Sequence, residues 1–421
     1  MKRNVIVGQS GGPTAAINSS LAGVYRTAKE KGAKTVYGML NGIQGLIEER
    51  YIDLSDHIKS DLDIELLKRT PSAYLGSCRY KLPDIHENSA LYSKIFEILD
   101  KLEIETFIYI GGNDSMDTIK KLSDYAVVFG YTIRFIGCPK TIDNDLAITD
   151  HTPGYGSAAK YIGASVKEII RDSYCLQQTK GMVTIIEIMG RNAGWLTGAA
   201  ALAKGEDCPG PDLIYLPELP FDMDNFHETV KGLLEKKSSV VIAVSEGIRL
   251  ADGRYVCELG ESVDFVDAFG HKQLTGTASY LATYLAGEFD CKTRAIEFSL
   301  LQRAASHLAS GTDIKEAYEA GAAAVKAADE KDSGKMVVLT RVSDEPYQCG
   351  TEVHDVHKIA NDEKLVPREW ITSCGTNVTD EFIRYVRPLI QGELQPIMVS
   401  GIPRHLHREI EDIPALKSGN E

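Results

Sequence analysis

The chain has 421 residues, 43% of them hydrophobic and 25% charged, which is the composition of a globular protein long enough for two or three packed domains. Its formal net charge of -14 at pH 7 argues against a general nucleic-acid-binding or anionic-membrane-binding surface, because an acidic field repels polyanions. An anionic substrate would therefore need a local cationic pocket.

The cysteines and the N-terminus indicate the compartment. Eight cysteines are scattered singly, without a CxxC pair or a zinc-ligand spacing, a pattern typical of reduced thiols. The first apolar run is too short for a signal peptide, and no stretch reaches the roughly 18 apolar residues of a membrane span. We therefore expect a soluble, cytoplasmic protein with neither a nucleic-acid nor a membrane partner.

Short β-branched runs alternate with amphipathic stretches along the chain. The predicted strands are, in order, NVIVG, TVYGML, TFIYIGG, TIRFIGCP, VTIIEIMG, DLIYLPEL, SVVIAVSEG and TRAIEFSLL. The predicted helices are AINSSLAGVYRTAKEKG, SMDTIKKLSDYAVVFG, AAKYIGASVKEIIRDS, MDNFHETVKGLLEKK and IKEAYEAGAAAVKAADEKDSG. Near-continuous apolar strands are typical of parallel sheets covered on both faces, so the alternation predicts an α/β fold with doubly wound parallel sheets.

The length of the α/β part predicts two Rossmann-like domains with the active site in the cleft between them, at the carboxyl ends of the strands. We expect an N-terminal α/β domain over residues 1–150, completed by part of 304–345, and a second α/β domain over 151–303. The alternation stops near residue 345. Residues 346–421 are therefore predicted to form a C-terminal accessory segment.

Two glycine-containing loops follow predicted strands. In Gly8–Thr14, glycines such as Gly11 and Gly12 let the backbone approach a phosphate near a helix N-terminus, although the pattern is neither a Walker nor a dinucleotide motif. A tight strand-to-helix turn is the alternative. In Gly111–Ser115, the Asn and Asp oxygens suit a hard cation such as Mg²⁺, or else they cap the helix that follows.

The stretch PKTIDND places an ammonium and two carboxylates after an apolar run. One carboxylate, at Asp143 or Asp145, can take a hydroxyl proton as general base while the other binds Mg²⁺ or orients the first. The ammonium of Lys140 can stabilise charge on a transferring phosphoryl group. These roles fit phosphoryl transfer, whereas an Asx-rich turn with a solvated lysine is the structural alternative.

Polar residues recur at later strand ends, in Met189-Gly190-Arg191, in Ser245-Glu246-Gly247, at Arg294 and in Gln302-Arg303. Arginine binds phosphate through two parallel hydrogen bonds, and a carboxylate such as Glu246 accepts hydrogen bonds from sugar hydroxyls. Taken alone, each of these residues could be an ordinary surface or salt-bridged residue. Their shared position after apolar runs favours one common cleft.

Taken in order, these segments resemble the 6-phosphofructokinase superfamily over residues 3–345, and the remainder resembles the extension of its longer microbial members. The motifs are GQSGGPTAAIN, YLGSCRYK, GGNDS, PKTIDND, IEIMGR, VSEG and LLQR. The resemblance implies transfer of a phosphoryl group from ATP or pyrophosphate to O1 of fructose 6-phosphate, with Mg²⁺ as cofactor.

The resemblance also implies roles for individual residues. Asp143 matches the general base on the sugar 1-hydroxyl, and the catalytic set is Asp143, Lys140, Asp114, Asp145 and Arg191. The residues matching donor-phosphate contacts are Gly11, Gly12, Arg79, Lys81, Gly112, Asp114, Ser115 and Lys140. Those matching the sugar-phosphate pocket are Thr141, Ile142, Asp143, Met189, Gly190, Arg191, Glu246, Arg294, Leu300, Gln302 and Arg303. The metal ligands would be Asn113 and Asp145.

Two positions bear on the phosphoryl donor. ATP-using members of the family have glycine where Asp114 and Lys140 stand, whereas pyrophosphate users resemble this chain at both. A carboxylate at Asp114 would repel a nucleotide α-phosphate, and Lys140 would stabilise the leaving phosphate of pyrophosphate. The resemblance thus favours a reversible, pyrophosphate-dependent reaction in glycolysis and gluconeogenesis. An ATP-dependent enzyme, a non-catalytic sugar-phosphate-binding subunit and other sugar-phosphate substrates are the alternatives.

Some positions depart from the family pattern. The metal-proximal aspartate is replaced by Asn113, a histidine by Leu300, and two glycines by Ala304 and Ala305. An arginine contributed by a neighbouring subunit is missing near Met182, with Lys180 as its candidate replacement. Because clefts in this family are completed by a neighbouring chain, the resemblance implies a homodimer or homotetramer.

Overall fold

The computed structural model describes residues 3–175, 180–260, 274–359 and 363–408. Its strands are β1 (Asn4–Gln9), β2 (Val36–Met39), β3 (Tyr51–Asp53), β4 (Ile104–Gly111), β5 (Arg134–Pro139), β6 (Gly181–Ile188), β7 (Leu213–Tyr215), β8 (Ser239–Ser245), β9 (Cys291–Glu297), β10 (Lys335–Asp344), β11 (Tyr347–Asp355), β12 (Met398–Val399) and β13 (Ile402–Pro403). Its α-helices are α1 (Ile17–Glu30), α2 (Gly42–Ile47), α3 (Asp61–Arg69), α4 (Ser89–Lys101), α5 (Asn113–Phe129), α6 (Tyr155–Cys175), α7 (Trp195–Gly198), α8 (Met223–Leu234), α9 (Thr277–Glu288), α10 (Leu301–Ala304), α11 (Gly311–Asp329) and α12 (Asp380–Val386).

The larger sheet has seven strands in the order β11-β10-β5-β4-β1-β2-β3. The five inner strands run parallel, and β3 and β11 close the two edges in antiparallel pairing. Every residue of β1 is buried, because helices cover both faces of the sheet. The chain runs from β1 to β2 on one side and to β4 on the other, so the strand order reverses beside β1, where such sheets bind ligands.

The smaller sheet has four parallel strands in the order β7-β8-β6-β9. Strand β8 is fully buried, whereas β9 is an edge strand on which no residue is fully buried. Two sheets built from parallel strands and covered by helices confirm the α/β fold expected from the alternating apolar runs.

Helices α1 and α11 cross on the larger sheet with their backbones in contact. A methyl group built on Gly23 would lie 2.1 Å from the carbonyl oxygen of Tyr318, and one built on Gly321 would lie 2.0 Å from that of Ser20. Such distances are shorter than any van der Waals contact, so only glycine fits at the crossing. Helix α11 thereby belongs with the first sheet although it lies far from α1 in sequence.

The chain after residue 345 is integrated into the fold. The predicted boundary at residue 346 falls in the turn of a hairpin, because β11 pairs along its whole length with β10, which itself lies beside β5. Further along, the buried Phe382 of α12 stacks on Trp195, with ring centroids 5.9 Å apart. The segment after residue 345 is therefore part of the packed α/β structure and does not form a separate appendage.

Two further observations concern the whole described chain. All eight cysteines lie in described residues and carry free thiols. Within the described ranges, no helix combines the length and the apolar character needed to cross a lipid bilayer.

Candidate active site

A cavity of about 890 Å³ opens between the two sheets. Its walls come from the loops after β1, β4 and β5 on one side and after β6, β8 and β9 on the other. The predicted site residues that line it are Gly11, Gly12, Arg79, Gly112, Asn113, Asp114, Ser115, Lys140, Thr141, Ile142, Asp143, Asp145, Met189, Gly190, Arg191, Glu246, Leu300, Gln302 and Arg303. The fold thus brings together all but two of the predicted site residues.

The loops after β1 and β4 meet where the strand order reverses. The hydroxyls of Ser10 and Ser115 are in hydrogen-bond contact across this junction. Gly11 adopts the left-handed backbone conformation, with φ of 74°, which glycine reaches at little cost. Helix α1 begins only at Ile17, so the backbone of Gly11 and Gly12 faces the cavity from a loop and not from the first turn of a helix.

Lys140 is buried and carries its ammonium to this loop. Its Nζ donates a hydrogen bond of 2.8 Å to the carbonyl oxygen of Gly12 and lies 3.2 Å from the position of a methyl group built on Gly11. Burial lowers the pKa of Lys140 to about 8, an effect that nearby Asp143 opposes and that the positive charges of Arg303 and Arg79 reinforce.

Arg303 completes a concentration of positive charge on this side of the cavity. A methyl group built on Gly12 would lie 3.5 Å from its Nη1, so the guanidinium reaches the glycine loop. Burial lowers the pKa of Arg303, and the charge of Arg79 lowers it further. Lys140, Arg79 and Arg303 therefore form the local cationic pocket that an acidic protein needs for an anionic substrate.

The first turn of α5 forms another part of the wall. Gly112 is the N-cap residue, and Asn113, Asp114 and Ser115 line the cavity from the first turn of the helix. The N–H of Ser115 donates to the carbonyl oxygen of Gly112 at 3.0 Å. The side-chain oxygen Oδ1 of Asn113 is buried and accepts no hydrogen bond from the described residues. A buried oxygen without a donor is suited to a cation, and Asp145 lines the same cavity.

The two aspartates of PKTIDND lie on the loop after β5. The backbone N–H of Asp143 donates to Oγ1 of Thr141 at 3.0 Å, and that hydroxyl contacts Oδ2 of Asp143 at 3.3 Å. Burial raises the pKa of Asp143, whereas the Thr141 hydrogen bond and the charges of Lys140 and Arg191 lower it. For Asp145, burial and the neighbouring charge of Asp143 raise the pKa to about 7.

The second sheet contributes the opposite wall. Gly190, with φ of 140°, forms the turn after β6, and its N–H points at Oε1 of Glu246 at 3.4 Å. Burial raises the pKa of Glu246 to about 8. The buried Gln302 accepts a hydrogen bond from the N–H of Met189 at 3.2 Å, so its amide fixes the backbone next to Arg191.

Lys81 and Arg294 are the predicted residues that do not line the cavity. Arg294 lies on the edge strand β9, half-exposed, with Nη1 3.7 Å from Asp172 of α6. Lys180, the candidate replacement for a cross-subunit arginine, forms an exposed ion pair with Asp290 at 2.5 Å. Leu300, which stands where the family has histidine, is 55% exposed.

Sequence reasoning missed several cavity residues. Glu187 follows an apolar run and precedes Met189, which was a usable signal, and its carboxylate accepts the N–H of Ala278 at 2.8 Å. Burial raises the pKa of Glu187 to about 7. Glu363 lines the cavity from the C-terminal segment and accepts a hydrogen bond from Asn192 at 3.0 Å. No local sequence pattern predicts this contact.

Cations that reach a glycine loop, together with carboxylates on both walls of the cleft between the two sheets, form a site suited to phosphoryl transfer. The sequence model of one family, described as phosphofructokinase, matches residues 4–328, and the chain belongs to that family.

Relatives and a solved structure resemble nearly the whole chain. Pyrophosphate–fructose 6-phosphate 1-phosphotransferase of Xanthomonas campestris is 42% identical over 404 residues, covering 96% of this chain and 95% of the relative. The protein of the same name from Halomonas elongata is 40% identical over 423 residues, covering 99% of both chains. The crystal structure of pyrophosphate-dependent phosphofructokinase from Nitrosospira multiformis superposes with a TM-score of 0.87 at 36% identity, covering 96% of each chain.

Proposed function

We propose that this protein transfers a phosphoryl group from pyrophosphate to O1 of fructose 6-phosphate, giving fructose 1,6-bisphosphate and phosphate. The observation that carries the proposal is the buried ammonium of Lys140, held 2.8 Å from the carbonyl of Gly12 beside Arg303. This cation faces the region that the donor phosphates would occupy. Relatives at 42% and 40% identity over nearly the whole chain bear the name of this activity.

In the proposed reaction, Asp143 accepts the proton of the sugar 1-hydroxyl as O1 bonds to the phosphorus and the bridging P–O bond of pyrophosphate breaks. Burial raises the pKa of Asp143 and so strengthens it as a base, while the charges of Lys140 and Arg191 oppose this shift and favour the carboxylate form. Lys140 and Arg303 stabilise negative charge on the transferring group and on the leaving phosphate. On the opposite wall, Glu246 accepts hydrogen bonds from sugar hydroxyls.

Mg²⁺ completes the proposal, with Asn113 and Asp145 as its protein ligands. The unpaired Oδ1 of Asn113 and the carboxylate of Asp145 line the same cavity, and both are the oxygen ligands that Mg²⁺ prefers. The ion supplies neutralisation of phosphate charge when bound. Asp145 would supply a charged oxygen ligand and Asn113 a neutral one.

The choice of donor rests on Asp114 and Lys140. Asp114 lies in the first turn of α5, where its carboxylate would repel a nucleotide α-phosphate. The test is a coupled assay of fructose 1,6-bisphosphate formation with pyrophosphate or ATP as donor. We expect turnover with pyrophosphate and none with ATP. Turnover with ATP and none with pyrophosphate would refute the assignment. In the double variant Asp114→Gly, Lys140→Gly we expect weaker pyrophosphate use and measurable ATP binding.

We also propose that the protein assembles as a homodimer or homotetramer. Among the described residues, β9 is the outermost strand of the smaller sheet and pairs with β6 alone. Leu300 and Leu301 beside it are 55% and 62% exposed. Arg294 on this strand would then reach the sugar-phosphate site of a neighbouring copy rather than its own. Size-exclusion chromatography with light scattering tests the assembly, and a monomer at assay concentration would contradict it.

A further inference from the structure

The loop over residues 141–150, here called the catalytic loop, carries Asp143 and Asp145 into the cavity and turns the residue between them inward. Asn144 is fully buried and adopts the left-handed conformation with φ of 55°. Asparagine reaches this region more readily than most residues, and the hydrogen bonds of its buried side chain fix it there. Asp143 and Asp145 flank Asn144 in the chain, so its backbone conformation constrains the direction of both.

The side chain of Asn144 is held from both ends. Its Oδ1 accepts hydrogen bonds from the N–H of Thr152 at 3.0 Å and from Nζ of Lys364 at 3.5 Å. Its Nδ2 donates to the hydroxyl of Tyr385 at 2.9 Å. Two of these three partners come from the C-terminal segment.

Lys364 directs its remaining hydrogen bonds to the same loop. Its Nζ donates to the carbonyl oxygens of Asp150 at 2.6 Å and Thr149 at 3.1 Å. Its own backbone N–H donates to the carbonyl oxygen of Asp145 at 2.8 Å. The ammonium therefore binds the catalytic loop, and Lys364 is not among the residues that line the cavity.

Tyr385 and Arg341 connect the loop's far end to the same partners. The Tyr385 hydroxyl donates to the carbonyl oxygen of Asp150 at 2.6 Å. The guanidinium of Arg341 binds Oδ2 of Asp150 through Nε at 3.1 Å and Nη2 at 3.0 Å, and Nη2 also donates to the carbonyl oxygen of Tyr385. The loop is thus tied at Asn144 and at Asp150 to one network.

Trp195 anchors Lys364 against the second sheet's side of the cavity. The indole Nε1 donates to the carbonyl oxygen of Lys364 at 2.8 Å, and Nζ of Lys364 lies 5.3 Å from the centre of a Trp195 ring. Since Trp195 begins the helix that follows Arg191, Lys364 links the catalytic loop to the segment after β6.

We propose that Lys364 and Tyr385 are positioning residues that hold Asn144 and thereby fix Asp143 and Asp145 for phosphoryl transfer. Neither side chain touches the reacting groups. Displacing catalytic groups by about 1 Å can reduce a rate by about 100-fold, so loss of these contacts lowers kcat more than substrate affinity. The match to the family's sequence model ends at residue 328, so both residues lie beyond it.

The experiment uses the full chain with Lys364→Met, which keeps the aliphatic length without the ammonium, and Tyr385→Phe, which removes one hydroxyl. The matched controls are Lys160→Met, whose ammonium donates to the carbonyl of Gly392 at 2.7 Å, and Tyr25→Phe, whose hydroxyl donates to Ile58 at 3.1 Å. We measure kcat, the KM of each substrate and the melting temperature for every variant.

We expect kcat to fall about 10- to 100-fold in Lys364→Met and Tyr385→Phe, while the KM of fructose 6-phosphate changes by about twofold or less. In the double variant the two losses should be far from multiplicative, since both act through Asn144. The control variants should retain kcat within about twofold even where their melting temperatures fall.

Retention of kcat in Tyr385→Phe, or a rise in KM with kcat unchanged, would overturn the proposal. If Lys364→Met does not fold, the conservative Tyr385→Phe decides the question alone. The inference rests on the proposed phosphoryl transfer. Turnover of the wild-type protein in the same assay distinguishes failure of the proposed function from failure of the positioning role. An inactive wild type would refute the proposed function, whereas an active wild type with unaffected variants would refute only the positioning role.

Discussion

Replacement of Lys140 by methionine removes one buried ammonium and little volume. In the native structure that ammonium lies 2.8 Å from the carbonyl of Gly12 and near Arg303, on the donor side of the cavity. Removing one donor that stabilises transition-state charge typically costs about 10²–10³ in kcat, or about 2.7–4 kcal/mol. We expect a loss of this size with pyrophosphate, and a smaller rise in its KM because Arg79 and Arg303 remain.

The pH dependence gives a second measure of the same group. Burial lowers the pKa of Lys140 to about 8, so the ammonium is present below that pH and is lost as pH rises through it. Wild-type kcat/KM for pyrophosphate should therefore fall above about pH 8, because this parameter reports the ionisation of groups in the free enzyme. In Lys140→Arg, whose guanidinium stays protonated, the same alkaline decline should disappear even if the maximal rate is lower.

The assay is fructose 1,6-bisphosphate formation from pyrophosphate, followed over pH with Lys121→Met as matched control. Lys121 also donates to a backbone carbonyl, that of Leu82 at 2.8 Å, yet it does not line the cavity. The control should keep the wild-type rate and pH profile. A Lys140→Met variant that retains the wild-type kcat, or that shows the same alkaline decline, would refute this reasoning.

Three further outcomes are expected. Asp143→Asn should lower kcat about 10²–10⁴-fold with fructose 6-phosphate binding by calorimetry little changed, and an unchanged rate would exclude this residue as the base. Asn113→Ala should raise the Mg²⁺ concentration for half-maximal activity about 10-fold, and an unaltered Mg²⁺ titration would remove Asn113 from the metal site. Gly23→Ala, whose methyl group would lie 2.1 Å from the carbonyl oxygen of Tyr318, should destabilise the protein by about 1–3 kcal/mol or more in thermal unfolding. The control Gly232→Ala, with open space around its helical position, should be neutral or stabilising, and equal effects of the two substitutions would contradict the close helix contact.

The parallel core of the fold could be predicted because its strands are locally distinctive. Strands such as β1, β4 and β8 are buried on both faces, and they appear in the sequence as continuous apolar runs. Strand β11 carries no such signal, since none of its residues is fully buried and its partner is β10. Its place in the first sheet follows from tertiary pairing, which a local pattern does not contain.

The candidate site likewise has residues that local motifs predict and residues that only the folded chain brings together. Lys140, Asp143 and Asn113 were predictable because each follows a strand end within a short motif. Lys364 lies more than 200 residues from Asn144, and the hydrogen bond between them exists only once the chain has folded. Arg294 shows a different limit, because in its own chain it lies on the edge strand β9 beside Asp172. A role at the site of a neighbouring copy depends on assembly, which a local pattern does not contain.

The crossing of α1 and α11 has a consequence for synthesis on the ribosome. All four strands of the second sheet come from one continuous stretch, β6 to β9. The first sheet, in contrast, is complete only after α11, β10 and β11 have been synthesised, since α11 covers α1 and β10 pairs with the edge of β5. The half that is translated first must therefore persist with an unpaired strand edge and an uncovered helix face until residue 355 has emerged. We expect the nascent N-terminal half to be the part of this protein that chaperones protect, and the second sheet, although made later, to be completed first.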